Sequence, residues 1–289
     1  MQDRLVVSRD RDDSNPLLRD VAFNRHSMNK RQLRPHVSPL DQGRVDVGVD
    51  NIKVHLIQGI DETAFQRTAG MAVRATIGID PDAPPTELPW EEMLKGGLQT
   101  ALETQTVVFG VSGVSRTCTH QLVRSRRAAF HQQSQRASFM GDHPNVRLPE
   151  SVARKPAVRD AYIRAFEAAH EAYRLACDED VSFQDARFVL PEGTETYIML
   201  EYPLREFLAV YAYRACSMFQ WEICHTIREC GRALVSAHPW LDPYVKITCE
   251  KTGVCEFQGW ESVEGQCDFP QAREDNRRYR PDPKLRIGG

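Results

Sequence analysis

No stretch of this 289-residue chain approaches the run of about 18 apolar residues that a membrane-spanning helix needs. The polar start, Met1-Gln2-Asp3-Arg4, lacks the apolar core of a secretory signal. A cytoplasmic protein with no membrane partner is expected, and its eight cysteines are then expected to be reduced. No two cysteines form a Cys-x-x-Cys pair, and Cys249, Cys255 and Cys267 are spaced too irregularly for a zinc ligand set, so no metal site is assigned. Gly-x-Ser-x-Gly, the P-loop and Gly-x-Gly-x-x-Gly are all missing, which excludes a nucleophile elbow at Ser134 and dinucleotide binding in the Rossmann manner. There is no internal repeat. Composition is that of a soluble globular protein, with 41% hydrophobic and 27% charged residues. A net charge of -3 argues against nucleic acid as a general partner.

Acidic residues are also missing from one stretch, 119–136, and there the absence is informative. These eighteen residues hold four arginines, four glutamines, two serines and two histidines. Guanidinium groups keep their charge and offer forked donors that match phosphate oxygens in pairs. The run therefore reads as a site for a small anion, with a solvated basic face as the other reading.

In chain order, residues 1–50 mix Arg, Asp and Pro without a sustained period and read as an arm. Val54–Ile57 is a strand candidate ended by Gly59, and Asp61 is placed to cap a following helix. Residues 80–85 are proline-rich loop. Residues 105–114 alternate as a strand, with two glycines that let another backbone come close. Ser115 then caps a short helix predicted to carry Gln121 and Arg124 on one face, leading into an extended segment in which Ser134 and Arg136 share a side. From Pro156 to Cys177 apolar residues step by three and four, an amphipathic helix; His170 beside that stripe is assigned no role. Residues 196–202 form a strand, Pro203 opens a helix that carries Arg214, and a further helix runs toward Pro239. Beyond Val245 a surface-hugging or poorly ordered tail is expected. Arg187 precedes the strand, and Arg214 lies in an apolar helix, where a structural ion pair to Glu206 or Glu222 competes with a functional role.

Arg124-Ser125-Arg126, seven residues, then Ser134 resembles the Arg-His-Arg-x7-Ser signature of the flavin-dependent thymidylate synthases, the ThyX family. Ala186–Pro191 and Arg214 followed by Gln220-Trp221-Glu222-Ile223 are similar to that family's two later motifs, in the same order. The resemblance implies an α/β (α+β) fold, a mixed sheet with helices, assembled as a homotetramer with active sites between subunits. It implies an arm at 1–50, a catalytic domain at 51–248 and a C-terminal extension at 249–289. FAD is the implied cofactor, NADPH and methylenetetrahydrofolate are the cosubstrates, and the reaction is reductive methylation of a uridylate at C5. The cofactors carry the electron and one-carbon chemistry, leaving the protein to bind, orient and polarise.

By the same resemblance Arg124, Ser125 and Arg126 hold FAD, with Gln132 and Arg205 on the flavin side. Gln121, Arg124, Gln132, Gln133, Ser134, Gln135, Arg136 and Arg187 hold the nucleotide. Arg214 sits on the uracil as the catalytic cation, stabilising negative charge at N3 and the C2 oxygen. Several positions depart from the family pattern: Ser125 replaces His, Gln132 replaces Glu and Ala129 replaces Ser. Gln99 and Met218 replace His, and Pro203 and Ala209 replace Asn. The swaps at 129 and 132 are compatible with a ribose 2′-hydroxyl. They point to a specialised branch that methylates UMP in nucleoside antibiotic biosynthesis of the polyoxin type. An ordinary dUMP-to-dTMP enzyme and a non-catalytic nucleotide- or flavin-binding protein are the alternatives.

Overall fold

A computed structural model of the chain describes residues 45–80, 99–141 and 145–257. The arm before Val45, the proline loop after Asp80, Cys267 and the charged terminal residues lie outside them.

The described chain begins with β1 (Val45–Val47) and β2 (Lys53–Gln58), followed by α1 (Glu62–Ile77). As expected, Asp61 caps α1: the Ala64 N–H donates to its carboxylate at 3.0 Å. A 3₁₀ segment, Gln99–Thr104, leads into β3 (Thr106–Ser115) and α2 (Arg116–Leu122). Then come β4 (Ala129–Gln132), β5 (Val146–Leu148), the single turn α3 (Glu150–Ala153) and the long α4 (Pro156–Asp178). The short α5 (Phe183–Ala186) precedes β6 (Glu195–Pro203), α6 (Leu204–Arg214), α7 (Trp221–Ala237) and α8 (Thr248–Thr252).

Four strands form an antiparallel sheet in the order β2-β3-β6-β4, and β1 pairs with β5 in a separate parallel pair. The interior strand β3 is buried along most of its length, which explains its continuous apolar run. Its register slips at Gly113, whose φ of +75° only glycine adopts without strain. A Cβ there would sit 2.5 Å from the Asn51 carbonyl oxygen, so the close backbone approach expected of this strand is present.

Helices α1, α6 and α7 cover the sheet through Phe65, Phe207 and Ile227, all without exposure. Phe109 of β3 meets Phe207 with ring centroids 4.9 Å apart, and Tyr202 lies 6.0 Å from both Phe207 and Phe130. Helix α4 buries a single face, Phe166, His170, Tyr173 and Cys177, as its three-and-four spacing predicts. Tyr173 and Cys177 join Phe139, Met140, Phe183, Ala186 and Leu190 in a second cluster. Cys118, Cys230 and Cys255 are free thiols.

His170 belongs to that buried face rather than lying beside it. It is 4% exposed, and neither ring nitrogen has a hydrogen-bond partner. Burial, with Arg174 adding to it, pushes its pKa from 6.5 down to about 4. The unfolded chain therefore takes up this proton first as pH falls, so stability should decline between pH 6.5 and 4, by on the order of 3 kcal/mol. Replacing His170 with Leu should flatten that part of a urea-denaturation profile; an unchanged slope would remove His170 as its source.

Candidate functional site

The candidate residues are positioned by one buried charge cluster. Arg147 of β5 is 2% exposed and spends its donors on four segments. Its Nε donates to the Gly113 carbonyl at 2.7 Å, Nη1 to the Gly48 carbonyl at 2.7 Å and Nη2 to Glu195 at 2.7 Å. Asp46 and Glu222 each approach the same guanidinium at 3.6 Å. Glu222, in the first turn of α7, accepts from both the N–H and the hydroxyl of Ser115, each at 2.6 Å. The Ser115 oxygen accepts from the Cys118 N–H at 3.1 Å and so caps α2, as its sequence position predicts. Burial pushes the Glu222 carboxyl upward, while the Ser115 donors and Arg147 oppose that rise. Helices α2 and α7 thus begin at one carboxylate.

Glu222 is consequently not the partner of Arg214, and among the described residues Glu206 is not either. Instead the Arg214 guanidinium, at the last residue of α6, lies 4.8 Å from the ring centre of Phe219 and 5.5 Å from that of Tyr213. The structural ion pair expected as an alternative for Arg214 is replaced by aromatic contacts, which hold a cation without neutralising it.

Several of the predicted residues tie neighbouring elements together. Gln121 Nε2 donates to Gln220 Oε1 at 3.4 Å, and that oxygen also accepts from Ile223 N–H to cap α7. Gln132 Nε2 donates to Thr119 Oγ1 at 2.9 Å, fastening β4 to α2. Tyr202 is buried with no hydrogen-bond partner for its hydroxyl, and burial pushes its pKa up. Ser125 and, more weakly, Arg214 oppose that shift.

Two local expectations are corrected. Helix α2 ends at Leu122, so Arg124 does not share its face with Gln121. The chain leaves the helix through turn bonds, Arg124 N–H to Gln121 O at 3.3 Å and Ser125 N–H to Leu122 O at 3.2 Å, because β4 must reach its pairing with β6. Likewise Ser134 to Arg136 are not extended. Beyond Gln132 the chain turns, with the Ala137 and Ser138 N–H groups on the Ser134 carbonyl at 3.1 and 2.9 Å and the Arg136 N–H on Ser134 Oγ at 3.3 Å. Gln133 stays tied to β6 through Tyr197 O at 2.9 Å, and Gln135 lies in the turn itself.

After that turn Phe139 and Met140 pack with Ala186 and Leu190, which flank Arg187. The fold therefore brings the segment that follows the Ser134–Arg136 turn into one cluster with the residues flanking Arg187. Arg187 does not sit directly before a strand; it opens a 3₁₀ turn, Arg187–Val189, well ahead of β6. Pro191 and a turn through Glu192 and Gly193 separate the two.

Sequence reasoning missed Arg116, the first residue of α2. Its pKa is lowered by burial first, with Glu192 opposing and Arg187 adding, so two guanidinium groups share one electrostatic neighbourhood. A cation in the first turn of a helix opposes the helix dipole. Arginine directly after the Ser115 cap was the signal that could have found it. Arg124, Arg126, Arg127 and Arg136 are exposed and make no side-chain ion pair among the described residues. Arg205 differs, because Glu103 holds its guanidinium at 2.6 Å.

Residues 83–240 match the family described as thymidylate synthase complementing protein, Thy1. A flavin-dependent thymidylate synthase of Geobacter sulfurreducens is 37% identical over 180 residues, covering 60% of this chain and 77% of the relative. One from Pyrococcus furiosus is 36% identical over 131 residues, covering 44% of this chain and 53% of the relative. Among solved structures, that of a UMP/dUMP methylase, PolB, from Streptomyces cacaoi bound with 5-Br dUMP superposes with a TM-score of 0.54 at 16% identity. The superposition covers 67% of this chain and 92% of PolB, a likeness of fold.

Truncating Arg147 to Ala strands Asp46, Glu195 and Glu222 in the interior and should cost about 3–5 kcal/mol of stability. Ser115→Ala removes both hydroxyl contacts, the cap on the Cys118 N–H and the bond to Glu222, and should cost about 1–3 kcal/mol. Equilibrium urea unfolding checks both, and a change below half a kcal/mol for Arg147→Ala would deny the cluster its role.

Proposed function

Because the chain belongs to the thymidylate synthase complementing protein family, we propose that it catalyses FAD-dependent reductive C5-methylation of a uridine monophosphate, converting UMP to 5-methyl-UMP with methylenetetrahydrofolate and NADPH. The observation that carries this reading is Arg214, a cation held by two aromatic faces with no carboxylate on it among the described residues. Such a group keeps its full charge for a ligand. Placed at the C2 oxygen and N3 of uracil, it stabilises the negative charge that develops as C5 becomes nucleophilic, and it does so with little reorganisation.

The residues present fit a phosphate-bearing cofactor and substrate. Arg124 and Arg126 are exposed and uncompensated, as FAD phosphates require, with Ser125 between them facing Tyr202. Bound FAD would supply the hydride, and the folate the one-carbon unit. Ser134, Gln135 and Arg136 with Arg187, joined by Arg116, would take the nucleotide phosphate. Arg205 reaches a flavin only by leaving Glu103.

Preference for UMP rests on Gln132. One of its two amide N–H groups is committed to Thr119, which leaves the second, a donor that a glutamate lacks, for a ribose 2′-hydroxyl, and the exposed Ala129 leaves room on the same strand. A role in nucleoside antibiotic biosynthesis follows from that preference. The similarity to relatives called thymidylate synthases favours dUMP as the second reading.

A homotetramer with shared sites is the assembly that this family reading implies. Arg187 neighbours Arg116 at the start of α2, whereas Arg214 lies near Gln220 and Gln121 at its end. Phe188, next to Arg187, is 83% exposed, an apolar side chain suited to a contact between subunits.

Offering UMP and dUMP separately with FAD, NADPH and methylenetetrahydrofolate, and weighing the product, should yield methylated UMP in preference. Equal or better turnover of dUMP would return the protein to thymidylate synthesis, and a protein that never takes up FAD would be a binding module. Arg214→Ala should lower kcat by on the order of 100-fold or more while FAD uptake persists. Arg116→Ala should instead weaken nucleotide binding, by roughly tenfold in Kd for one lost charge-assisted contact. Calorimetric titration with the nucleotide separates the two effects.

A further inference from the structure

The chain beyond the family match, after residue 240, returns to Arg214. Thr248 opens α8 and donates its hydroxyl to the Ala212 carbonyl at 3.1 Å, anchoring this helix on the last turn of α6. Ile247 N–H donates to Glu250 at 2.8 Å, which fixes the start of α8. At its end Gly253 adopts φ +70°, its N–H donating to the Cys249 carbonyl at 2.9 Å, and the chain reverses. The reversed segment, 254–257, comes back against the end of α6. Tyr213, Cys216, Thr248, Cys255 and Phe257 line a small cavity there.

Phe257 completes a ring cluster at that point. Its ring centre lies 5.5 Å from that of Phe219, edge to face at 85°, and 6.0 Å from that of Tyr213. Tyr213 and Phe219 meet each other at 4.4 Å, and these are the two rings that carry the Arg214 guanidinium. Tyr213 is 44% exposed, so packing from its own helix does not confine it. Phe257 supplies the third side. Three rings in mutual contact lose rotamer freedom together, and a guanidinium lying on two of them is confined with them.

We propose that Phe257 is a positioning residue for Arg214, acting through Phe219 and Tyr213, so that the segment after α8 is part of the uridylate site. This rests on the reading of Arg214 as the uracil cation. The proposal requires an aromatic ring at 257, because an edge-to-face partner for Phe219 cannot be replaced by an aliphatic group of similar bulk.

The test compares Phe257→Leu, Phe257→Tyr and Phe257→Ala in the full-length, FAD-loaded protein. Arg214 acts on charge that develops in the transition state, so Leu and Ala should lower kcat about three- to tenfold while KM for UMP changes by less than about twofold. Tyr should restore kcat. A second readout does not depend on turnover: the rate at which phenylglyoxal modifies Arg214, followed by mass spectrometry of its peptide, should rise severalfold in the Leu and Ala variants and stay near wild type in Tyr. Leu behaving as wild type in both measurements would overturn the proposal. If neither nucleotide is methylated by the wild type, the functional reading fails while the phenylglyoxal rates still decide the role of Phe257. If Ala does not fold, the comparison of Leu with Tyr suffices.

Discussion

The contact on which the rest of this structure depends is the guanidinium of Arg147 inside its ring of acceptors. A cation at 2% exposure is tolerated only when its donors are spent and its charge is met. Gly113 and Gly48 provide carbonyls, and Glu195, Asp46 and Glu222 provide charge. The β1–β5 pair is thereby joined to the bulge of β3 and to the first turn of α7. Because Glu222 also binds Ser115, the starts of α2 and α7 are referenced to one carboxylate, and so are Gln121, Gln220 and the ring of Phe219 nearby. Gly113 is part of this arrangement, since a side chain at its φ would strain the bulge and meet Asn51.

Charge outside that cluster is arranged in the opposite way. Arg124, Arg126, Arg127 and Arg136 are exposed and unneutralised among the described residues, and Arg116 stands near another guanidinium at the start of α2. Arg214 is held by rings. The buried structural cation Arg147 is matched with carboxylates, while Arg214 is left with aromatic neighbours and, of the other candidate cations, Arg205 is paired with Glu103 and Arg116 lies near Glu192 as well as Arg187. The proposed anion site rests on that contrast at Arg214, where rings replace both water and a carboxylate and a bound electron-rich carbonyl would offset the unpaired charge.

Much of the architecture was legible from residue spacing. The Asp61 and Ser115 caps, the buried strand with its two glycines, the amphipathic helix from Pro156 and the strand before Pro203 all stand where local chemistry places them. The errors lie where tertiary demands override local pattern. Strand β4 pairs with β6 for only four residues, so the Ser134–Arg136 segment is released into a turn that alternation could not reveal. Glu222 stands eight residues beyond Arg214 and seemed a natural partner, but Ser115 and Arg147 reach it from the far side of the chain.

The sequence by itself determined the family motifs, the helical and strand periods and the identity of the arginines, because these depend on neighbours a few residues apart. Only the tertiary structure decided which charges are neutralised. Arg147, unremarked in the sequence, became the buried hub; Arg116 was brought beside Arg187; Phe257 was carried back onto the rings that hold Arg214. Desolvation and ring contact depend on what folds against a residue from elsewhere in the chain, and no local spacing encodes that.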